Sequence, residues 1–213
     1  MAVSASGCPR HGRDGRSPDA GKGAALALWI ALGALALAPA QAAAQSAAPV
    51  RDGQWLGVGL GGGLDQVACG VCAGEPKPGI VGHVRFGGTL SRKLLLGGEF
   101  DLWTRRDEGT RQFLASLGAV ALFYADRDGR FHLKAGAGAV GFRAAEDGDE
   151  LTALTFGITG GLGYDYPITE TLSLTPFASL TLAPFADLKF NGDLAVGDAT
   201  LGLLQAGLGL TWH

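Results

Sequence analysis

The feature that most constrains this chain is an alternation of apolar and polar residues with a period of two, which runs from residue 54 to the end. In the stretch TLSLTPFASLTL, residues 171–182, the even positions are Leu, Pro and Ala, and the odd positions are Thr, Ser and one Phe. A period of two places alternate side chains on opposite faces of a β-strand. The chain is therefore predicted to form strands whose two faces meet different surroundings.

The same pattern appears in eight segments. In each segment the more apolar parity holds only Gly, Ala, Val, Leu, Ile, Phe, Pro or Trp, whereas the other parity is rich in glycine and carries charges of both signs. No helical periodicity of useful length competes with it. The predicted strands cover residues 54–62, 80–90, 93–104, 112–124, 130–142, 152–165, 171–183 and 201–213.

An even number of strands with one continuous apolar face is typical of an antiparallel up-and-down transmembrane β-barrel, in which apolar residues face lipid and polar residues face the lumen. A soluble, exported, lipocalin-like barrel is the alternative, and it would turn the apolar face inward. Short connections are predicted to alternate with longer, charged loops. The longer loops, which we expect outside the cell with both termini in the periplasm, are 63–79, 105–111, 143–151 and 184–199.

The beginning of the chain has the arrangement of a secretory signal peptide. Four basic residues precede an uncharged apolar run from Ala24 to Ala38, and small residues in A-x-A patterns follow Pro39. The run is short for a membrane-spanning helix, which needs about 20 residues. We predict a cleaved signal peptide over residues 1–44, a short N-terminal segment over 45–52 and an outer-membrane β-barrel domain over 53–213.

Charge narrows the range of partners. Residues 1–44 contain four Lys/Arg and two Asp/Glu, so their removal from totals of 17 and 20 leaves 13 and 18, a net charge of −5. No basic stripe remains, and nucleic acid is therefore not a predicted partner.

The segments GITGGLGYDYPITETLSLTPFASLTL and LLQAGLGLTWH resemble the small eight-stranded outer-membrane barrels, the family that includes the OmpA transmembrane domain and OmpX. The resemblance covers about residues 52–213 and implies a location in the Gram-negative cell outer membrane. It also implies that the barrel assembly machinery recognises the last strand. That family usually ends on an aromatic residue, whereas here Trp212 is followed by His213. Pro176 in the middle of a strand predicts a local bulge or kink, because proline cannot donate to the ladder.

Two cysteines, Cys69 and Cys72, lie in the first predicted outer loop in a C-x-x-C spacing. A redox couple needs the start of a helix to lower the thiol pKa, but Pro76 and Pro78 follow within a few residues. A structural zinc site needs four ligands. A loop disulfide is therefore the favoured interpretation, with free thiols and a redox or metal site as alternatives.

Four charged residues of the polar parity are predicted to form a paired network in the lumen: Arg85, Glu99, Asp101 and Lys134. An eight-stranded barrel has room only for side chains, and buried charges need partners. The alternative is a narrow gated pore. His83 and His132 are also predicted to face inward, without an accompanying serine motif.

The sequence therefore predicts a non-enzymatic, porin-like protein of the cell envelope with a side-chain-filled lumen and a structural or surface-interaction role. A narrow small-solute channel is the alternative function. We predict no catalytic, cofactor or metal site. The expected partners are outer-membrane lipid and the barrel assembly machinery, and the protein is expected to be monomeric. Its acidic outer loops are expected to contact a partner, the envelope or the medium, and the sequence does not specify a ligand.

Overall fold

A computed structural model describes residues 51–69, 72–107, 109–126 and 128–213, with the side chains of Cys72 and Ala73 left out. The predicted signal peptide over 1–44 and most of the 45–52 segment lie outside the described residues. No helix in the described part of the chain is long and apolar enough to cross a membrane.

Eight long strands make up the described fold, with two short pieces, Cys72–Ala73 and Tyr166–Pro167, paired beside them. The long strands are β1 (Gln54–Cys69), β2 (Lys77–Ser91), β3 (Leu94–Asp107), β4 (Thr110–Tyr124), β5 (Phe131–Glu146), β6 (Asp149–Tyr164), β7 (Leu172–Phe190) and β8 (Asp193–Trp212).

Each strand pairs with the next one in antiparallel fashion, and β8 also pairs with β1. The closing ladder runs from Leu56 opposite Trp212 to Ala68 opposite Thr200. The sheet therefore closes into an eight-stranded up-and-down barrel, which confirms the predicted fold. We call the end that carries Arg51 and His213 the terminal end, and the opposite end, with the four β-hairpin connections, the hairpin end.

The two faces of the barrel wall are distributed as the alternation predicts. The outward parity is apolar and exposed, for example Leu60 at 72% and Phe156 at 63%. The inward parity contains the buried charged residues, including Glu99 and Lys134. An apolar exterior around a filled interior is the arrangement of a membrane barrel, and the lipocalin-like alternative is therefore wrong.

The connections at the hairpin end differ from the prediction of long loops. The strands continue through most of 105–111, 143–151 and 184–199, and β5–β6 and β7–β8 are joined by two-residue turns. In these turns Asp147 and Gly148 have φ of 47° and 97°, and Asn191 and Gly192 have φ of 50° and 93°. Positive φ at both central positions suits the right-handed twist of a hairpin, so the charged segments extend the barrel wall.

A bulge in β7 changes which residues face the lumen. The ladder of β7 with β8 shifts register between Ala183 and Ala186, where Phe185 has a φ of 59°, and the ladder with β6 shifts between Leu182 and Lys189. Ala183 and Ala186 are both buried, while Phe185 between them is 77% exposed. The bulge predicted at Pro176 is wrong, because the register with β8 continues through it and the ladder with β6 begins at the next residue.

Candidate functional site

The described side chains fill the lumen in three layers, and the layer at the terminal end is organised around Asp165. This residue lies between β6 and the short strand Tyr166–Pro167, and it is fully buried. The Tyr124 hydroxyl donates to Asp165 Oδ2 over 2.8 Å, and the Thr175 hydroxyl donates to Oδ1 over 2.8 Å. Thr175 also shares a hydrogen bond of 2.9 Å with Thr211. One carboxylate therefore links β4, β7 and β8 across the lumen.

Arg51 supplies the positive charge of this layer. Its Nη2 lies 3.2 Å from Asp165 Oδ2 and donates to the Gly129 carbonyl. The guanidinium carbon lies 3.5 Å from the centroid of the Tyr124 ring, a cation–π contact. The Arg51 side chain is only 4% exposed. A charge at this depth needs a partner, so Arg51 and Asp165 stabilise each other.

Two histidines complete the layer. His132 Nδ1 lies 3.8 Å from Asp165 Oδ1, and His213 Nε2 lies 3.4 Å from Oδ2. The His213 side chain is fully buried, and its backbone N–H donates to the Thr171 carbonyl over 2.9 Å. His213, which follows Trp212 where the resembling barrels usually end on an aromatic residue, is therefore part of the network. We call this set the Asp165 hub: Arg51, Tyr124, His132, Asp165, Thr175 and His213.

The hub holds Asp165 in its ionised form. Burial alone raises the pKa of the Asp165 carboxyl. The neighbouring His213 and His132 side chains and the hydroxyls of Tyr124 and Thr175 lower it by more. The pKa of Asp165 therefore lies well below the usual carboxyl value.

The middle layer contains the four charged residues singled out from the sequence. Lys134 Nζ contacts Glu99 Oε1, and both side chains are at most 6% exposed. Asp101 accepts hydrogen bonds from Ser116 over 3.0 Å and from Gln205 over 2.8 Å. The structure thus brings Lys134 and Glu99 together across the lumen and gives Asp101 neutral donors.

Arg85 takes a different position from the expected one. It is the direct cross-strand partner of Glu99, yet no ion pair joins it to Glu99 or Asp101 among the contacts of the described residues. On the other side Arg85 faces Gly57, where a Cβ would lie 2.9 Å from Arg85 Cγ and Nε. The side chain therefore leans over β1, into space that the glycine leaves free, and away from β3.

His83 lies two residues before Arg85 on the same face of β2, and it packs in the same way. Its ring stands edge-on to Phe177, with 4.5 Å between centroids, and it faces Gly59. A Cβ at Gly59 would lie 2.4 Å from His83 Cε1, so only glycine fits there. A cavity of about 20 Å³ lies in this layer beside Glu99, Asp101 and neighbouring wall residues, and it has room for about one water molecule.

The layer at the hairpin end is mainly apolar, which the alternation did not indicate, with one buried carboxylate, Asp65, opposite Leu203. Trp103 is fully buried at its centre and donates from Nε1 to the Gly63 carbonyl over 3.3 Å. We call this cluster the apolar plug: Val81, Trp103, Leu114, Val140, Phe142, Ala153, Ala183, Ala186, Leu188, Ala199, Leu201 and Leu203. All of these residues except Ala186 and Leu188, which follow the β7 bulge, lie on the inward parity, and their apolar character in the sequence is the signal that indicates the plug.

Cys69 lies beside the plug rather than in a separate loop. Cys69 ends β1, is partly buried against the plug and is disulfide-bonded. Its backbone partner in the short ladder is Cys72. The side chain of Cys72 lies outside the described residues, so the Cys69–Cys72 disulfide stays a prediction.

The rim of the hairpin end is strongly asymmetric in charge. Residues 143–150 and 184–199 contain seven Asp/Glu and two Lys/Arg, a net charge of −5. Residues 63–79 and 105–111 contain four of each, a net charge of zero. The whole net charge predicted for the mature chain therefore lies on the half of the rim formed by β5–β6 and β7–β8, which we call the acidic rim.

Comparison with known proteins shows the fold. No family model and no curated protein matches the chain. Among solved structures, Ail, the attachment invasion locus protein of Yersinia pestis, is 11% identical with a TM-score of 0.53, and the match covers 76% of this chain and 99% of Ail. Neisserial surface protein A is 17% identical with a TM-score of 0.50, covering 76% of this chain and 97% of that protein. The chain has the fold of the small eight-stranded outer-membrane β-barrels.

Proposed function

We propose that this protein is a non-enzymatic outer-membrane barrel with a sealed lumen, which acts through the surface that it presents at the hairpin end. The observation that carries the proposal is the apolar plug. Ions and small polar solutes need a continuous polar path, whereas Trp103 and Leu114 belong to an apolar layer that is buried in the lumen. The Asp165 hub closes the terminal end in addition.

The buried groups argue against catalysis. The Asp165 hub brings histidines, a carboxylate and hydroxyls together, but Asp165, Thr175 and His213 are fully buried. A substrate would have to displace the network to reach them. No cluster of three His, Cys, Asp or Glu with the geometry of a metal site occurs in the described part of the chain. We therefore assign these groups to holding the barrel together.

The partners follow from the same arrangement. Outer-membrane lipid contacts the apolar exterior, and the barrel assembly machinery binds the last strand before the barrel closes. The closing ladder of β1 with β8 leaves no unpaired sheet edge in the described barrel, so the protein is proposed to be monomeric.

Single-channel recording in a planar bilayer tests the sealed lumen. The wild-type protein is expected to be silent, as is Leu208→Ala, a matched apolar truncation on the lipid face. Trp103→Ala removes the centre of the plug, and leak currents are therefore expected from this variant. A heat-modifiability gel confirms that each sample is folded. Reproducible openings of the folded wild-type protein would instead support the narrow small-solute channel.

A further inference from the structure

We infer that a groove in the acidic rim docks a cationic, partly apolar segment of a partner protein. This inference deepens the proposed surface-interaction role and rests on it. The groove has a volume of about 360 Å³ and lies where the tips of β5–β6 and β7–β8 meet. Its lining includes Thr110, Ala144, Glu146, Asp149, Leu151 and Phe190.

The carboxylates of the groove are poorly compensated. Glu150 is paired with Arg143 over 2.9 Å. Glu146 accepts a hydrogen bond from the Thr110 hydroxyl over 2.6 Å, and Asp149 accepts one from Asn191 over 3.0 Å. Both of these partners are neutral, and no other described cation lies within 4.0 Å of either carboxylate. The groove therefore offers negative charge that a cation on a partner can neutralise.

An apolar anchor lies next to these charges. Phe190 is 46% exposed, and Leu194 across the same hairpin is 65% exposed. Leu151, opposite Phe190 in the β6–β7 ladder, packs against the apolar plug, so the exposed apolar surface is continuous with the barrel core. Exposed aromatic and aliphatic side chains rimmed by charge are the usual composition of a protein-binding surface. A purely ionic ligand would make no apolar contact with Phe190.

The groove is also held in one conformation before any partner binds. Asn191 donates its backbone N–H to the Glu150 carbonyl over 2.8 Å, and Glu150 returns its N–H to Asn191 Oδ1 over 2.9 Å. Together with the contact to Asp149, these bonds fasten the β7–β8 turn to the start of β6. A surface that is already ordered loses little conformational entropy on binding.

Charge selects the chemistry of the partner. The acidic rim carries −5, which attracts Lys- and Arg-rich segments and repels acidic ones. The groove's mixed lining favours a segment that places an apolar side chain between basic residues. The neutral half of the rim has no such preference and serves as an internal control.

The test uses the folded barrel in nanodiscs of zwitterionic lipid and a fluorescent, lysine-rich peptide with one central leucine, followed by anisotropy. Glu146→Gln with Asp149→Asn removes two groove charges and keeps both oxygen acceptors. It is expected to weaken binding about fivefold, since each exposed charge pair contributes a factor of about two to three. Glu75→Gln with Asp107→Asn makes the same chemical changes on the neutral half and is expected to leave binding unchanged.

Phe190→Ala tests the apolar anchor. It is expected to weaken binding about five- to tenfold, as for a central apolar contact, including at high salt where the charge effect fades. Phe185→Ala, an exposed Phe on the lipid side of the same hairpin, is the control. Equal losses from the groove and control variants, or no peptide binding by the wild type, would overturn the inference. A barrel that conducts yet binds the peptide would refute the sealed lumen alone, and a silent barrel that does not bind would refute the docking groove alone.

Discussion

Replacing Asp165 by Asn removes one charge from the Asp165 hub while keeping the size of the side chain. Asn retains one oxygen that can accept from Tyr124 or Thr175, so the hydrogen bonds are only partly lost. The ion pair with Arg51 is lost completely. Arg51 lies 3.2 Å from Asp165, with 4% of its side chain exposed, and no other described carboxylate lies within 4.0 Å of it. The variant therefore leaves a buried guanidinium without a counter-charge.

The magnitude follows from that lone charge. Removing one partner of a buried ion pair costs about 3–5 kcal/mol, because the remaining charge keeps its desolvation penalty. We expect Asp165→Asn to lower the free energy of unfolding by this amount. Arg51→Met combined with Asp165→Asn leaves no lone charge. Its cost is expected to be smaller than the sum of the two single costs by at least about 1 kcal/mol.

The assay is reversible urea unfolding in lipid vesicles, followed by tryptophan fluorescence and by migration of unboiled samples. Additive losses in the double variant, or a loss below about 1 kcal/mol in Asp165→Asn, would refute the role given to the hub. The pH dependence supplies a second readout. Because the folded pKa of Asp165 is depressed, its contribution is present above the ordinary carboxyl pKa of about 3.9 and is lost as pH falls through the lower folded value. Stability of the wild type should therefore fall more steeply below about pH 4 than that of Asp165→Asn.

Three further predictions concern the middle layer, the lipid face and the cysteines. Glu99→Gln leaves Lys134 buried and alone, so it is expected to destabilise more than Glu99→Gln with Lys134→Met, and equal unfolding free energies would contradict the pairing. Leu208→Arg on the lipid face is expected to cost about 2–4 kcal/mol and to reduce insertion measured by heat-modifiability, whereas normal insertion would reverse the assignment of the faces. Cys69→Ser with Cys72→Ser is expected to leave insertion unchanged, because a disulfide across so short a ring stabilises less than the roughly 3 kcal/mol of a 15-residue loop. Labelling of both thiols on intact cells only after reduction supports the predicted topology, and labelling only after membrane disruption contradicts it.

The alternation in the sequence predicts the barrel because residues two apart in a strand lie on the same face, so the pattern shows which face is apolar. Each strand of the prediction is present, and Leu60 and Phe156 face outward as their parity indicates. The pattern stops at the β7 bulge, where Ala183 and Ala186 are both buried although they are three residues apart. A one-residue insertion in a ladder depends on both neighbouring strands, so the local sequence does not reveal it.

Contacts across the lumen also could not be predicted from the sequence of each strand taken alone. Arg51 and His213 lie at opposite ends of the described chain and meet at Asp165 only because β1 closes on β8. Trp103 lies on the inward parity, but its role in a plug depends on apolar residues of six other strands that reach the same height. The pairing of Lys134 with Glu99 rather than of Arg85 with Glu99 depends on the space above Gly57.

The central claim, a membrane barrel that is apolar outside and sealed inside, is tested most directly by quenching of single tryptophans. Both proteins start at residue 45, which removes Trp29. One retains only Trp103, with Trp55 and Trp212 replaced by Phe, and the second carries Leu208→Trp with Phe at positions 55, 103 and 212. Both are folded in vesicles. Bromine placed in the lipid acyl chains is expected to quench the tryptophan at position 208 and to spare Trp103, and acrylamide added to the water is expected to reach neither. Quenching of Trp103 by acrylamide would show that the lumen is open, and quenching of Trp103 rather than position 208 by the brominated lipid would reverse the two faces of the barrel.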